Sequence, residues 1–152
     1  GDKAPAFKGN NQDGKAVKLG DFKGKRLVLY FYPKDDTPGC TTQACGLRDS
    51  SARYAEADCV VLGISPDSVA SHRKFADKHG LPFTLLADTG KAVASAYGTW
   101  REKSFMGRIG FGIVRSSFLV DPAGNVAKVY PKVSPADHAD EVLADLAALS
   151  RS

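Results

Sequence analysis

The chain has 152 residues, 43% hydrophobic and 25% charged, with a formal net charge of +4 and a pI near 9.0. That length fits one domain, 1–152, able to bury a sizeable core, and no apolar run approaches the ~20 residues that a membrane-spanning helix needs. Lys and Arg are interspersed with Asp and Glu and form no basic run, so the charge reads as a solvated mixed surface, and neither a nucleic-acid nor a membrane partner is expected.

In chain order, Asp13-Gly14 suggests an early hairpin turn. Leu27–Tyr32 is an unbroken apolar run and reads as a buried strand. The segment Tyr32-Pro33-Lys34-Asp35-Asp36-Thr37-Pro38-Gly39-Cys40-Thr41-Thr42-Gln43-Ala44-Cys45 follows. Thr37 suits a helix N-cap and Pro38 the first helical position. The predicted helix runs to about Ala57 and puts Cys40 in its first turn. Cys59–Ser65 is a second apolar strand. Asp67 to His79 reads as a helix, capped by Asp67 or Ser68 and stopped by Gly80. Phe83–Leu86 is a short strand, and Thr89–Tyr97 is a helix closed by Gly98. Thr99–Gly112 reads as irregular. Ser116–Val120 is a strand, Pro122 to Asn125 a turn, and Val126–Tyr130 its antiparallel partner. Ser134-Pro135 opens the last helix, with Val142, Leu143, Leu146 and Leu149 as its inner stripe. This order predicts an α/β fold with a mixed central sheet and helices on both faces.

Three cysteines are too few for a disulfide scaffold, and Cys40–Cys45 lacks the Cys-x-x-Cys spacing of zinc ribbons and thioredoxin-like exchangers. Cys40 has the surroundings of a reactive thiol. Unpaired N–H groups and the positive dipole end at a helix start favour a thiolate, which is the nucleophilic form of cysteine. The competing reading is a buried structural cysteine. Cys59 begins a core strand and reads as structural, with a redox role as the minor alternative. His72 and His79 lie seven apart on one helix face. A metal site there is one reading; surface histidines, with His138, are the favoured one.

Pro33, Thr37 and Cys40 match the Pro-x-x-x-Thr-x-x-Cys signature of the peroxiredoxins. The extension Thr-Pro-Gly-Cys-Thr-x-x-Ala-Cys resembles their bacterioferritin comigratory protein/peroxiredoxin Q subfamily. Asp2 to Phe7, Val61 to Asp67 and Arg115 to Asp121 are similar to further segments of that family, so the resemblance covers nearly the whole chain. It implies a thioredoxin-like fold and a thiol peroxidase acting on hydrogen peroxide and organic hydroperoxides without metal, haem or flavin. It also implies a dithiol reductant, with thioredoxin first among candidates, a monomeric state and a cytoplasmic location. The chain starts at Gly1 rather than Met, which leaves room for a removed targeting segment.

By this resemblance Cys40 is the peroxidatic residue and Pro33 shapes and shields its loop. Thr37 is a cap, a hydroxyl that binds the peroxide, or both. Arg115 is either a surface charge or the cation that stabilises thiolate and developing oxyanion together. Cys45 stands where the subfamily's resolving cysteine does; its alternative is a core residue, with an outside thiol completing the cycle. Five helical residues separate the Cα atoms by about 8–9 Å, beyond the ~7 Å limit for a disulfide. The helix must therefore unwind locally before a Cys40–Cys45 bond forms, and Gly46 weakens it there. Trp100, Phe105, Met106 and Phe111 are either ordinary packing or an apolar collar for organic hydroperoxides. A redox-switched sensor using the same cysteine pair is the competing function.

Overall fold

The computed structural model describes residues 2–105 and 107–150. Its organising strand is β3 (Arg26–Phe31), preceded by β1 (Lys8–Asn11), β2 (Ala16–Lys18) and a 3-10 turn at Leu19–Phe22. β3 is apolar without interruption because both of its faces are covered. Val28, Tyr30 and Tyr32 enter one hydrophobic cluster, and Leu27, Leu29 and Phe31 enter the other. After β3 come α1 (Pro38–Asp49), α2 (Ser51–Glu56), β4 (Cys59–Ser65), α3 (Val69–His79), β5 (Thr84–Ala87) and α4 (Ala92–Ala96). The chain continues with β6 (Trp100–Phe105), β7 (Arg108–Ile113), β8 (Ser116–Val120), β9 (Val126–Tyr130) and α5 (His138–Ser150).

Seven strands form one mixed sheet in the order β2-β1-β5-β4-β3-β8-β9. β4 runs parallel to β3 and β5, whereas β8 is antiparallel to β3 and β9. Residues of α1, α2, α3 and α5 fill the first cluster, and Val93 and Ala94 of α4 help fill the second. The expected α/β architecture with helices on both faces is therefore present. Among the described residues no helix is long and apolar enough to cross a membrane.

Five local expectations are corrected. The stretch expected to be irregular, Thr99–Gly112, contains the β6–β7 hairpin, with Trp100 opposite Ile113 and Phe105 opposite Arg108. Ile109, Phe111 and Ile113 do alternate along β7, but the residues between them include two glycines, which strands disfavour, and Ile109 and Phe111 are 73% and 67% exposed. The helix expected from Cys40 to Ala57 breaks at Ser50 (φ −99°, ψ 8°) into α1 and α2. The last helix becomes regular only at His138, although its first helical bond, His138 N–H to Ser134 O, is already in place at 3.1 Å. Leu149 is exposed, whereas Val142, Leu143 and Leu146 are buried. Finally, His72 and His138 are buried, not surface residues. A hydrogen bond makes each compatible with the interior, and such pairing has no local sequence signal.

His138 Nε2 lies 2.9 Å from the Ser117 hydroxyl. Burial, with the nearby Arg115 charge as the second cause, pushes the His138 pKa down from 6.5 to about 4. The folded state thus binds this proton less readily than the unfolded chain. The associated stability is present above pH 6.5 and is lost as the pH falls towards 4. The loss amounts to about 3 kcal/mol when the full shift is counted. Denaturant titrations at pH 7 and pH 4.5 are expected to show a smaller acid loss for His138→Gln than for the parent chain, because glutamine reaches Ser117 without titrating.

Candidate active site

The site begins where β3 ends. Tyr32 extends the strand pairing through its N–H to Ile64 O at 3.1 Å. Half-buried Pro33 then fixes its own φ and turns the chain out of the sheet. Asp36 adopts φ +59°, a left-handed conformation that aspartate tolerates better than most residues. Thr37 occupies the N-cap of α1 with extended backbone (φ −90°, ψ 156°), and Pro38 follows at the first helical position. The N-cap reading is correct in position only. The Thr37 side chain caps nothing; its hydroxyl donates to Lys34 O at 2.9 Å.

Cys40 lies in the first turn of α1 and is 2% exposed. The Arg115 guanidinium donates from Nη2 to its sulfur at 3.2 Å and from Nη1 to Gln43 Oε1 at 2.7 Å. Arg115 is therefore the cation beside the thiol and not a free surface charge. It sits immediately before β8, and its carbonyl accepts from Val133 N–H at 3.1 Å. The β3–β8 register pairs Phe31 with Ser116, which brings position 115 to the end of β3 where the cysteine loop leaves.

Two residues of this arrangement have roles here that their sequence context does not give them. Gln43 is buried and lies three positions after Cys40, on the same face of α1. Among the described residues its Nε2 has no hydrogen-bond partner. The i, i+3 spacing was the available signal, but a glutamine in a helix ordinarily reads as surface. The other is Gly39, where a Cβ would stand 3.1 Å from Arg115 Nη2. Its absent side chain makes room for the guanidinium. Beneath the site, Tyr30 stacks on Tyr32 with ring centroids 5.3 Å apart. A Cβ at Gly63 would stand 2.7 Å from the Tyr30 hydroxyl oxygen, so the ring passes directly over that glycine. Burial, followed by the charges of Asp35 and Cys40, pushes the Tyr30 pKa well above its usual value and keeps the phenol neutral.

Cys45 is partly exposed on the same unbroken helix, and all three cysteines are free thiols. His72 and His79 do not converge on a common ligand: His72 meets Asp35, and His79 meets Asp36. Of the expected aromatic collar, Trp100 and Phe111 stack with centroids 6.0 Å apart, and Met106 lies outside the described residues. Cys59 is buried at the start of β4, and burial pushes its pKa up from 9.0 to about 12. Such a shift leaves about a thousandfold less thiolate than an ordinary cysteine has. Iodoacetamide at pH 8 is expected to leave Cys59 unlabelled in the native protein and to label it after denaturation, as read by peptide mass mapping.

Known proteins resemble this chain over nearly its whole length. Residues 1–129 match the AhpC/TSA family. Peroxiredoxin Bcp of Bacillus subtilis is 49% identical over 150 residues, covering 99% of this chain and 96% of its own. Peroxiredoxin Bcp of Escherichia coli K12 is 48% identical over 143 residues, covering 94% and 92%. Among solved structures, the Xanthomonas campestris bacterioferritin comigratory protein, studied for alkyl peroxide reduction, superposes with a TM-score of 0.90 at 39% identity. That superposition covers 95% of this chain and 92% of the other. Peroxidoxin BcpB of Mycobacterium tuberculosis superposes with a TM-score of 0.87 at 33% identity, covering 98% and 96%. The fold is thus the thioredoxin-like fold of these proteins, and the chain belongs to the AhpC/TSA family as a peroxiredoxin, an enzyme that reduces peroxides through a cysteine.

Proposed function

We propose that Cys40 is the cysteine that attacks the peroxide and that Cys45 completes the cycle through an intrachain disulfide. The observation that carries this reading is the 3.2 Å contact from the Arg115 guanidinium to the Cys40 sulfur in the first turn of α1. The thiolate donates an electron pair to one peroxide oxygen, the S–O bond forms, and the O–O bond breaks. The second oxygen departs as hydroxide or alkoxide and takes up a proton, giving water or an alcohol. Arg115 stays charged throughout and holds two donors in a fixed fork, one on sulfur and one on Gln43. Negative charge moving from sulfur to the departing oxygen therefore remains beside the same cation. Thr37 supplies a polar contact to the bound peroxide, and Pro33 shapes the loop.

The Cys45 sulfur then attacks the sulfenic sulfur of Cys40, expelling its oxygen as water. In the folded helix these residues stand too far apart for a bond, so residues of α1 unwind first. The movement withdraws Ala44 and Leu47, both fully buried, from the first cluster. An external dithiol of the thioredoxin type returns two electrons and restores both thiols. The intrachain bond needs no second subunit, in keeping with a monomer. The domain 1–152 acts as one unit in this scheme.

Peroxide consumption coupled to NADPH through thioredoxin and its reductase tests the whole reading. Steady multiple turnover is expected; a single stoichiometric oxidation would instead identify a redox switch. Cys40→Ser is expected to abolish turnover, and Arg115→Ala to slow sulfenic-acid formation by roughly 10²–10³-fold, the usual effect of losing an oxyanion donor. Gly46→Ala separates the second step. A Cβ at position 46 would stand 3.8 Å from Ala139 Cβ, an ordinary contact, so the variant strengthens the helix without a clash. About 1 kcal/mol of added helix preference predicts an approximately fivefold slower conversion of sulfenic acid to disulfide. Stopped-flow measurement of both phases is expected to show the first phase unchanged.

A further inference from the structure

The loop between β3 and α1 is held from below by a polar network that the reaction scheme does not use. Asp35 and His72 are 7% and 0% exposed, yet both carry ionisable side chains. Asp35 Oδ1 accepts from the Tyr32 hydroxyl at 2.5 Å, and its Oδ2 accepts from the Ser71 hydroxyl at 2.8 Å. His72 Nδ1 meets the same Oδ2 at 2.7 Å. The other ring nitrogen, Nε2, faces Leu86 O at 3.0 Å. A carbonyl only accepts, so Nε2 donates to Leu86 O and Nδ1 is the nitrogen that faces the carboxylate.

The backbone of Asp35 is held as firmly as its side chain. Its N–H donates to Asp67 Oδ2 at 2.8 Å, and the Ser65 hydroxyl donates to that same oxygen at 2.6 Å. The other end of this peptide group is the Lys34 carbonyl, which accepts the Thr37 hydroxyl. A peptide group is planar, so fixing its N–H fixes its C=O. One rigid plane therefore links the Asp67 carboxylate to the Thr37 hydroxyl. Because Thr37 directs its single proton at Lys34, the lone pairs of its oxygen are left to accept from a substrate.

We propose that Asp35, His72 and Asp67 are positioning residues that clamp the Lys34–Asp35 peptide and thereby orient the Thr37 hydroxyl towards the peroxide. The proposal rests on the peroxidase reading given above. A buried polar pair adds little stability over packed apolar side chains, so stability alone does not account for placing one under this loop. One ligand atom from each of the three residues lies within 4.8 Å of the other two. The Asp35, His72 and Asp67 atoms concerned are nevertheless hydrogen-bonded to protein partners, which suits a clamp. The clamp's partners come from Tyr32 just after β3, from β4, β5 and α3, and from the turn after β4, and none of these comes from α1. Unwinding α1 breaks none of these bonds, so the loop keeps its form while the helix opens and refolds.

A double-mutant cycle on sulfenic-acid formation tests the clamp, with His72→Ala, Thr37→Val and the pair compared in a single turnover with hydrogen peroxide. His72→Ala is expected to slow this step tenfold to a hundredfold, as a 1 Å misplacement can, and to add nothing in the Thr37→Val background. Iodoacetamide, which needs the thiolate but not Thr37, is expected to alkylate Cys40 at the parent rate in each variant. His72→Asn places an amide donor where Nδ1 stood and is expected to recover the rate to within about threefold. Asp77→Asn, on the exposed face of α3 where it pairs with Arg73, is expected to leave it unchanged. Additive effects of His72→Ala and Thr37→Val, or peroxide and iodoacetamide rates that fall together, would overturn the proposal. Should His72→Ala not fold, amide exchange in the parent protein decides. The Asp35 N–H must stay protected in both the dithiol and the disulfide forms, and exchange there as fast as in residues 42–46 of the disulfide form refutes the clamp. Loss of the peroxidase reading itself would show differently, as peroxide reduction that survives Cys40→Ser.

Discussion

A guanidinium held against a buried sulfur is the contact on which the other features of this site depend. Arginine cannot shed its charge, so the chain has to make a place for that charge at the edge of its core. Gln43 supplies an acceptor for one arm, and Gly39 leaves the other arm space by lacking a side chain. His138, which the same charge helps to keep neutral, stands nearby on α5. The two partners are 75 positions apart in the chain. They meet because β8 runs antiparallel to β3 in a register that sets Ser116 beside Phe31. The sheet is in this sense a ruler. A one-residue slip would turn every β8 side chain to the opposite face and carry Arg115 away from Cys40.

Helix α1 answers to two opposed demands. It has to hold Cys40 beneath the guanidinium, and in the proposed cycle it has to release it. Cys40, Gln43, Ala44 and Leu47 form its buried stripe, which favours the folded form. Gly46 and the break at Ser50 act the other way, confining any opening to a short piece of chain. Beyond the break, the Tyr54 hydroxyl donates to Ala139 O at 2.8 Å and ties α2 to α5. In front, the loop residues Asp35 and Asp36 are both attached to α3, one buried on His72 and one exposed on Lys78 and His79. The segment between these anchorages is the part that can move without disturbing the sheet.

The sequence was most readable where a side chain's role is decided by its neighbours along the chain. β4, β8 and β9 have the expected bounds because β-branched and apolar runs between turn residues are local signals. Ser68 caps α3 by accepting from Ser71 N–H, and Gly80 closes that helix at φ +58°, both legible as single residues. Cys40 and Thr37 are legible as candidates from their places at a helix start, whereas Pro33 and Arg115 become candidates only through resemblance, since one proline or one arginine at a strand end has no signature of its own. Gln43, His72 and His138 escaped because their roles are set by partners distant in the chain. The β6–β7 hairpin escaped for another reason: β6 carries Arg101, Glu102 and Lys103 in succession, and Gly110 and Gly112 obscure the alternation of Ile109, Phe111 and Ile113 in β7.

The burial of Cys59 has a combinatorial consequence. Three thiols in one chain can pair in three ways, and an oxidising enzyme samples whichever pairings its motions permit. Cys59 sits in a strand hydrogen-bonded along its length to β3, and its proton is held tightly by an apolar setting. The two pairings that involve Cys59 would draw on a strand paired with β3, whereas in the proposed cycle the third asks only that part of one helix loosen. In the proposed cycle, then, the cost of cross-linking Cys59 falls on the sheet, whereas that of a Cys40–Cys45 bond stays within one helix. The proposed cycle would therefore need no isomerase, because the competing pairings sacrifice strand contacts that this one leaves in place.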